Sequence, residues 1–293
     1  MPNIKFAFFG TSELSVKVLD ILIKNGYIPD LVITVPDKPQ GRKMIMTPPP
    51  LKVFAEARNL KISQPNSLST YNLQPTTCNL LIVASYGKII PKSILEIPKF
   101  GTLNVHPSLL PKFRGPSPIQ SFILSGEEKT GVTIMLMDAK IDNGPILASQ
   151  KLKVESQKLN AKQLEEELAE LGGQTLVDVI PKWINGEIKA IEQDHSQATF
   201  TKKIAKEDGL VDLEKDKPET IYRKFLAFQP WPGIYYFTEK NTRKIRVIIT
   251  DMELSQSELP SSGTSASQSE LKIKKVKPEG KKEINFADFI KGL

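Results

Sequence analysis

The stretch IKFAFFGTSELSVKVLDIL, residues 4–22, decides the fold. It begins with a short apolar run, Ile4–Phe9, that ends at Gly10 and is typical of a buried strand. Apolar residues then recur at helical spacing, with Ser12 in position to cap a helix and Gly26 in position to end it. The sequence therefore predicts a strand, a tight turn and a helix in direct succession.

The alternation of strands and helices continues along the chain. Further strands are predicted at Leu31–Val35, Leu80–Ala84, Leu103–Val105 and Val132–Met137, and helices at Val53–Leu60 and Asn160–Asn185, the second bent or divided at Gly172 and Gly173. This pattern favours an open α/β sheet with substantially parallel pairing. Ligands bind such sheets beyond the carboxyl ends of the strands, and we expect Gly10, Tyr86, Asn104 and Asp138 to meet there.

Beyond about residue 200 the pattern becomes β-rich. A helix is predicted at Thr220–Phe228, strands within residues 229–237, 244–250 and Leu271–Val276, and a loop or disordered hairpin tip in the Ser-rich stretch 255–269. We predict a first domain at 1–188, a linker at 189–202 and a smaller second domain at 203–293.

Composition limits the classes of protein that the chain can belong to. Its 293 residues carry a formal net charge of +7, which permits a phosphate-rich partner without requiring one. The single cysteine excludes an intramolecular disulfide, and with two separated histidines it leaves no zinc-ligand spacing. No export signal or membrane-length apolar run is apparent, so we expect a cytoplasmic protein.

The most informative chemical motif is GTLNVHPSLLPKFRG, residues 101–115. Alternate residues of a strand share a face, so Leu103 and Val105 should point one way and Asn104 and His106 the other. The prolines that follow stiffen the exit from the strand. An isolated pair of this kind is equally consistent with a satisfied polar turn, but the rigid loop favours a pre-organised site.

An aspartate downstream, in MDAKIDNGPIL, completes the candidate site. Taken alone, both Asp138 and Asp142 are expected to be turn aspartates that cap their own backbone. Asp142 gains weight because the predicted sheet brings its loop toward His106, and a carboxylate stabilises a nearby imidazolium. Asn104 could donate to a developing oxyanion. An amide, an imidazole and a carboxylate together suit acyl transfer to an amine.

Other motifs are weaker. The turn at Gly10 lacks both glycine-rich phosphate-binding patterns, so a tight turn is the preferred interpretation. His195 is expected to be solvated. The segment PDKPQGRKMIMTPPPLKVFA, residues 36–55, is predicted to be a long basic surface loop that could follow a phosphate backbone, and Lys202, Lys203 and Lys206 form a second basic cluster.

These motifs resemble the methionyl-tRNA formyltransferases, within the wider superfamily of folate-dependent formyltransferases. The resemblance is carried by FFGTSELSVKVLDIL, by the basic segment, by the stretch around GTLNVHPSLLPKFRG, by TGVTIMLMDAKIDNGPIL and by FQPWPGIYYF in the second domain. It covers roughly residues 4–250. The NxH motif with SLLPKFRG marks the superfamily, whereas the basic segment and the second domain mark the enzymes that act on tRNA.

The resemblance implies a function and a set of site residues. It implies transfer of a formyl group from 10-formyltetrahydrofolate to the α-amino group of methionine on initiator methionyl-tRNA, by a monomer without a metal, with a Rossmann-like first domain and an OB-like barrel. By position, Asn104, His106 and Asp142 take the catalytic roles. The folate donor would lie along Tyr86, Gly87, Ile89, Ile90, Pro91, Ser108, Leu109, Leu110 and Pro111 and along the loop bearing Asp138–Asp142. The tRNA would lie along Arg42, Lys43, Lys203 and Lys206.

The chain departs from the family pattern at three positions: Leu14 replaces a common aromatic residue, Lys140 a frequent glycine and Asn143 a frequent threonine. Two alternatives stay open. One is a folate-dependent N-formyltransferase that acts on a nucleotide-linked amino sugar or on glycinamide ribonucleotide, which needs neither the basic segment nor the second domain. The other is a folate- or RNA-binding protein without turnover.

Overall fold

In the computed structural model, strands and helices alternate through the first two thirds of the chain. The structure describes residues 4–41, 43–74, 78–154, 159–240, 243–256 and 269–293. The strands are β1 (Phe6–Gly10), β2 (Leu31–Ile33), β3 (Lys38–Gln40), β4 (Ile45–Thr47), β5 (Ile62–Ser63), β6 (Leu80–Ala84), β7 (Thr102–His106), β8 (Lys129–Leu136), β9 (Ile146–Lys153), β10 (Ile234–Lys240), β11 (Arg243–Gln256), β12 (Ser269–Pro278) and β13 (Ile284–Asn285). The helices are α1 (Glu13–Lys24), α2 (Pro50–Glu56), α3 (Lys92–Leu95), α4 (Pro118–Ser125), α5 (Ala161–Ile184), α6 (Pro218–Ala227) and α7 (Phe286–Lys291).

Two compact units divide the chain. The first comprises Met1–Pro118, Lys129–Val154 and Leu164–Lys202, and the second Ile119–Glu128, Glu155–Gln163 and Lys203–Leu293. No described helix is both long enough and apolar enough to cross a lipid bilayer.

The first unit is built on a seven-stranded sheet in the order β5-β2-β1-β6-β7-β8-β9. The first five strands of this order run parallel, whereas β8 and β9 are antiparallel to their neighbours. The predicted α/β class, with a sheet dominated by parallel pairs, is confirmed. Because these five strands point in the same direction, their carboxyl ends share one edge of the sheet.

Each face of this sheet buries its own set of side chains. On one face Phe9, Val83 and Tyr86 belong to an apolar cluster that Ile94 and Leu95 of α3 complete. On the other face α1 and α5 cover the sheet. Asn104 is paired in register with Val83 and therefore lies on the face of the apolar cluster.

α5 runs unbroken from Ala161 to Ile184, so a division at its two glycines is wrong, while a bend there stays a prediction. The glycines instead allow close packing. A Cβ atom on Gly172 would lie 2.6 Å from Cγ1 of Val105, and one on Gly173 would lie 2.6 Å from Cδ1 of Ile21. The missing side chains let the helix backbone approach both β7 and α1.

Other local expectations need correction. Helix α2 begins at Pro50 and ends at Glu56, earlier than predicted, because proline fits the first turn of a helix where no N–H is needed. Asn104 lies inside β7 rather than past its end. The basic segment is not an irregular loop, because β3 and β4 pair within it as an antiparallel hairpin.

The second unit contains an antiparallel sheet in the order β10-β11-β12-β13, and α6 and α7 lie against it. The buried side chains include Ile221 and Phe225 of α6 with Val247 and Val276 of the central strands. The small β-rich second domain is confirmed, while closure into an OB-like barrel stays a prediction. Most of the predicted Ser-rich stretch, residues 257–268, lies outside the described residues.

The packing of α5 onto β7 gives a stability prediction. We expect Gly172→Val to lower the free energy of unfolding of the first unit by about 1–3 kcal/mol, because the new methyl groups collide with buried Val105. Urea titration followed by the fluorescence of Trp183, in a Trp231→Phe background, measures the change.

The matched control is Glu167→Val, which places the same side chain on the exposed side of α5. It should change the free energy of unfolding by no more than about 0.5 kcal/mol. Equal effects of the two substitutions would show that helix propensity, and not the contact with β7, governs this position.

Candidate active site

His106 and Asp142 lie together beside the carboxyl end of β7. Nδ1 of His106 is 3.7 Å from Oδ2 of Asp142, and the His106 side chain is only 5% exposed. Nε2 of His106 lies 3.0 Å from the carbonyl oxygen of Phe113. Because a carbonyl can only accept, Nε2 carries a proton, and Nδ1 is the nitrogen that faces the carboxylate. The imidazole is therefore oriented from both sides.

The route by which Asp142 reaches His106 differs from the predicted one. β8 is antiparallel to β7, so its carboxyl end lies beside Leu103 at the amino end of β7. Asp138 consequently does not share the crevice at the carboxyl ends, and that expectation is wrong. Its carboxylate accepts hydrogen bonds from Lys140 N and Asn143 Nδ2 within the loop. The same loop nevertheless brings Asp142 to the imidazole of His106.

Asn104 is the third member of the candidate set. It alternates with His106 along β7, so both side chains are on one face, as the strand pattern predicts. Asn104 is 8% exposed, and its side-chain amide makes no hydrogen bond within the described part of the chain. An amide that is buried, rigidly placed and still able to donate is suited to receive a ligand oxygen.

Loop 107–117 holds the other side of the site through backbone groups that the sequence pattern does not reveal. The N–H of Gly115 donates to Oδ2 of Asp142 at 2.7 Å. Gly115 has a φ of 107°, and a Cβ there would meet Oγ1 of Thr201 at 2.8 Å. A side chain at this position would therefore displace the donor that holds the carboxylate.

Thr133 supports the start of this loop and was not found by sequence reasoning. It lies on β8 and is paired with His106 of β7. Its Oγ1 donates to the Ser108 carbonyl at 2.8 Å and accepts from the N–H of Leu110 at 3.1 Å. Ser108 Oγ in turn donates to the carbonyl of Lys112 at 2.7 Å. The SLLP turn is thus tied to β8, the strand that pairs with the one carrying His106.

The residues expected to bind folate have different surroundings in the structure. Tyr86, Ile90, Ser108 and Leu110 are buried, Leu109 and Pro111 are half-buried, Gly87 is exposed with a φ of 77°, and Pro91 lies at the start of α3. Ile89 is 86% exposed, and Ile141, next to Asp142, is 64% exposed. Two of these segments therefore present apolar side chains to solvent.

Tyr86 is a core residue. Its ring packs edge-on against Phe9 at 5.3 Å between centroids, and its hydroxyl is buried without a hydrogen-bond partner within the described residues. Burial raises the pKa of the Tyr86 phenol to about 12. The side chain thus supports the sheet, and only its backbone, whose carbonyl accepts from Oγ1 of Thr11, faces the turn after β1.

That turn is closed by its own side chains, in agreement with the interpretation of a tight turn. The N–H groups of Thr11 and Ser12 both donate to Oγ of Ser15, which donates in turn to the carbonyl of Ala84. The amide donors of the turn that precedes α1 are therefore occupied. No group of three or more His, Cys, Asp or Glu residues among those described could hold a metal ion.

The described lysines of the predicted tRNA surface are exposed. Lys43 lies at the tip of the β3–β4 hairpin, and Arg42 lies outside the described residues. In the second unit, Lys203 precedes a short 3₁₀ turn, Lys206–Gly209, and Lys206 begins it. The base of the hairpin is held by Asp37, which accepts from Lys52 at 2.8 Å and from Gln64 at 2.8 Å. Hydrogen bonds from Gln64 and Lys52 lower the pKa of Asp37.

Comparison with known proteins identifies the family. The family model described as formyl transferase matches residues 3–180, and the model of the formyl transferase C-terminal domain matches residues 203–293. The chain belongs to the formyl transferase family. The resemblance seen in the sequence motifs is thereby confirmed.

Relatives of known name match both units of this formyl transferase. A methionyl-tRNA formyltransferase of Bacillus licheniformis is 36% identical over 301 residues, which covers 98% of this chain and 95% of the relative. A methionyl-tRNA formyltransferase of Chloroflexus aurantiacus is 43% identical over 237 residues, which covers 80% of this chain and 76% of the relative.

Solved structures share the fold of this formyl transferase at lower identity. The N-formyltransferase of Helicobacter canadensis, in complex with folinic acid and dTDP-3-aminofucose, superposes with a TM-score of 0.64 at 20% identity and covers 88% of this chain and 90% of its own. HypX of Aquifex aeolicus, in complex with tetrahydrofolic acid, superposes with a TM-score of 0.61 at 16% identity. The match covers 98% of this chain and 47% of the HypX chain. At these identities the likeness is one of fold.

The environment of Tyr86 gives a prediction that separates a core residue from a ligand contact. Tyr86→Phe removes a buried hydroxyl without a partner, so the free energy of unfolding should stay the same or rise by about 1 kcal/mol. Binding of a reduced folate, followed by fluorescence quenching, should be unchanged.

The comparison variant is Tyr86→Ala, which removes the ring that packs on Phe9 and should cost about 3–5 kcal/mol of stability. A Tyr86→Phe protein that binds folate more weakly while folding normally would place the hydroxyl in contact with the ligand.

Proposed function

We propose that the protein transfers the formyl group of 10-formyltetrahydrofolate to the α-amino group of methionine on initiator methionyl-tRNA, in the initiation of translation. The observation that carries the proposal is the site of buried Asn104, buried His106 and half-buried Asp142. It lies in a chain whose relatives, such as that of Bacillus licheniformis aligned over 95% of its length, are named methionyl-tRNA formyltransferases. In this proposal the protein acts as a cytoplasmic monomer, with the first unit as the catalytic domain.

The chemistry follows from the three side chains. The neutral amine attacks the formyl carbon, and the electron pair of the C=O bond moves onto oxygen to form a tetrahedral oxyanion. The free amide of Asn104 donates to this oxyanion, and His106 adds positive charge beside it. Removal of one such donor typically costs about 100- to 1,000-fold in rate.

Collapse of the tetrahedral adduct completes the transfer. The C=O bond reforms, the bond from the formyl carbon to N10 of the folate breaks, and N10 takes up a proton to give tetrahydrofolate. The attacking amine loses one proton in the same sequence. Asp142, 3.7 Å from Nδ1 of His106, holds the imidazole as a proton carrier and stabilises its charged form.

Apolar surface near the catalytic residues supports the assignment of the folate site. Ile89 and Ile141 are exposed in the segments that carry Gly87 and Asp142. Exposed apolar side chains offer a hydrophobic face to a flat heterocycle, and polar groups at the inner end fix its orientation. The donor would lie along residues 86–91 and 108–111, mainly against backbone and apolar groups.

The tRNA contacts are proposed for the hairpin and for the second unit. The β3–β4 hairpin follows β2 and therefore leaves the sheet at the edge where the parallel strands end. Lys43 at its tip is exposed, and Arg42 precedes it in the sequence. Lys203 and Lys206 are exposed in the second unit. Lysines of this kind contact phosphates without reading sequence.

The catalytic assignment is tested by His106→Ala. We expect the rate of formyl transfer to methionyl-tRNA to fall by about 100- to 10,000-fold, because proton transfer and oxyanion stabilisation are both lost. Folding and folate affinity should remain close to those of the wild type. A variant that formylates at nearly the wild-type rate would exclude His106 from the chemistry.

The acceptor is tested in the same assay with three amines: charged initiator tRNA, glycinamide ribonucleotide and a nucleotide-linked amino sugar. Preference for either small amine would replace this proposal with the corresponding small-molecule formyltransferase. Tight folate or RNA binding with no transfer to any of the three would identify a binding protein.

The role of the hairpin is tested by Lys43→Ala. Loss of one phosphate contact should weaken tRNA binding and reduce the slope of log affinity against log salt by roughly 0.7–0.9. Filter binding between 50 and 200 mM salt measures both quantities. The control is Lys99→Ala, an exposed lysine before the amino end of β7, which should leave the slope unchanged. The same slope in both variants would remove Lys43 from the interface.

A further inference from the structure

Arg114 is a buried cation whose partners are all neutral. Its residue is 3% exposed, and no carboxylate of the described residues forms an ion pair with it. Nε and Nη2 donate to Oε1 of Gln193 at 3.1 and 2.6 Å, and Nη1 donates to Oδ1 of Asn143 at 3.2 Å. Nη2 also donates to Nδ1 of His195 at 2.9 Å, so His195 is not merely solvated as predicted. Burial of such a charge is tolerated only where its hydrogen bonds are satisfied.

Gln193 passes this arrangement on to the loop that carries Asp142. The side chain is 5% exposed, and Nε2 donates to the carbonyls of Asp142 at 3.0 Å and of Gly144 at 2.7 Å. Because the Gln193 oxygen is held by Arg114, the amide can present only its N–H groups to the loop. Arg114 therefore fixes the orientation of Gln193, and Gln193 fixes the backbone at Asp142.

The backbone of Asp142 needs this support. Its φ is 47°, in the left-handed region that residues other than glycine adopt at an energetic cost. The same residue places its carboxylate 2.7 Å from Gly115 N and 3.7 Å from Nδ1 of His106. A relaxed backbone at this position would turn the carboxylate away from the imidazole.

We propose that Arg114 is a positioning residue for formyl transfer: through Gln193 and Asn143 it holds Asp142 in the left-handed conformation that sets its carboxylate against His106. This inference rests on the proposed function. The positioning role requires a planar guanidinium with donors in fixed directions, because this one group holds acceptors on Asn143, Gln193 and His195. A lysine supplies the charge without this planar set of donors.

The first test compares Arg114→Ala and Arg114→Lys with the wild type. Both should lower kcat by about 100-fold, the effect of misplacing a catalytic group by roughly 1 Å, with much smaller changes in KM for tRNA and folate. Added guanidinium should restore part of the kcat of Arg114→Ala and none of that of Arg114→Lys. The control is Arg58→Ala, which removes a partly exposed arginine paired with Asp20 and should leave kcat unchanged.

A second variant separates positioning from stability in case Arg114→Ala folds poorly. Gln193→Glu keeps an oxygen for Arg114 and adds an ion pair, but it loses the N–H donors that hold the carbonyls of Asp142 and Gly144. It should remain folded, because the new ion pair with Arg114 offsets part of the cost of the two lost hydrogen bonds, and still lose kcat by at least about 10-fold. Full activity of this folded variant would overturn the proposal.

A double-mutant cycle identifies the group through which Arg114 acts. In an Asp142→Asn background, Arg114→Ala should lower kcat by less than about threefold, because the carboxylate that it positions is already gone. A further loss equal to that in the wild-type background would show that Arg114 acts independently of Asp142, and the proposal would fall.

A spectroscopic measurement keeps this inference distinguishable from the proposed function. The chain has two histidines, so ¹⁵N-histidine labelling gives two ring systems, and His195→Gln assigns them. Gln193→Glu makes no contact with the ring of His106, yet it should shift the Nδ1 resonance of His106, and Arg58→Ala should not. An unshifted resonance overturns the positioning role even in a protein of undetermined acceptor. A wild-type protein that fails to formylate methionyl-tRNA but shows the shift overturns only the proposed function.

Discussion

The contact between Val105 and the bare backbone of α5 at Gly172 is the constraint on which the site depends. It commits one face of β7 to the helix layer, and the pleat then forces Asn104 and His106 onto the opposite face. A shift of one residue in the pairing of β7 would bury both polar side chains under α5. The packing of Val105 against α5 on one face of the sheet thus places Asn104 and His106 on the other face.

Features that depend on local pattern were predictable from the sequence. The strand-turn-helix at the start of the chain, the α/β class and the shared face of Asn104 and His106 all follow from periodicity over a few residues. Val105 and His106 illustrate why: alternation along a single strand needs no knowledge of what packs against it. The proximity of Asp142 to His106 was also anticipated, although by a route that the strand directions contradict.

Features that depend on distant hydrogen bonds were not predictable. The antiparallel direction of β8, the support of the SLLP turn by Thr133 and the link from Arg114 to Gln193 join residues 23–79 positions apart. No spacing rule relates such partners, and the backbone donors of the site carry no side-chain signature at all. Gln193 had no signal in the sequence beyond a polar residue in a predicted linker. His195 was misjudged for the same reason.

The two imidazoles of the chain contact adjacent residues of one loop: His106 contacts the carbonyl of Phe113, and His195 accepts from Arg114. Residues 203–293 contain no histidine. The path of the backbone at residues 113–114 thus sets the orientation of both imidazoles at once.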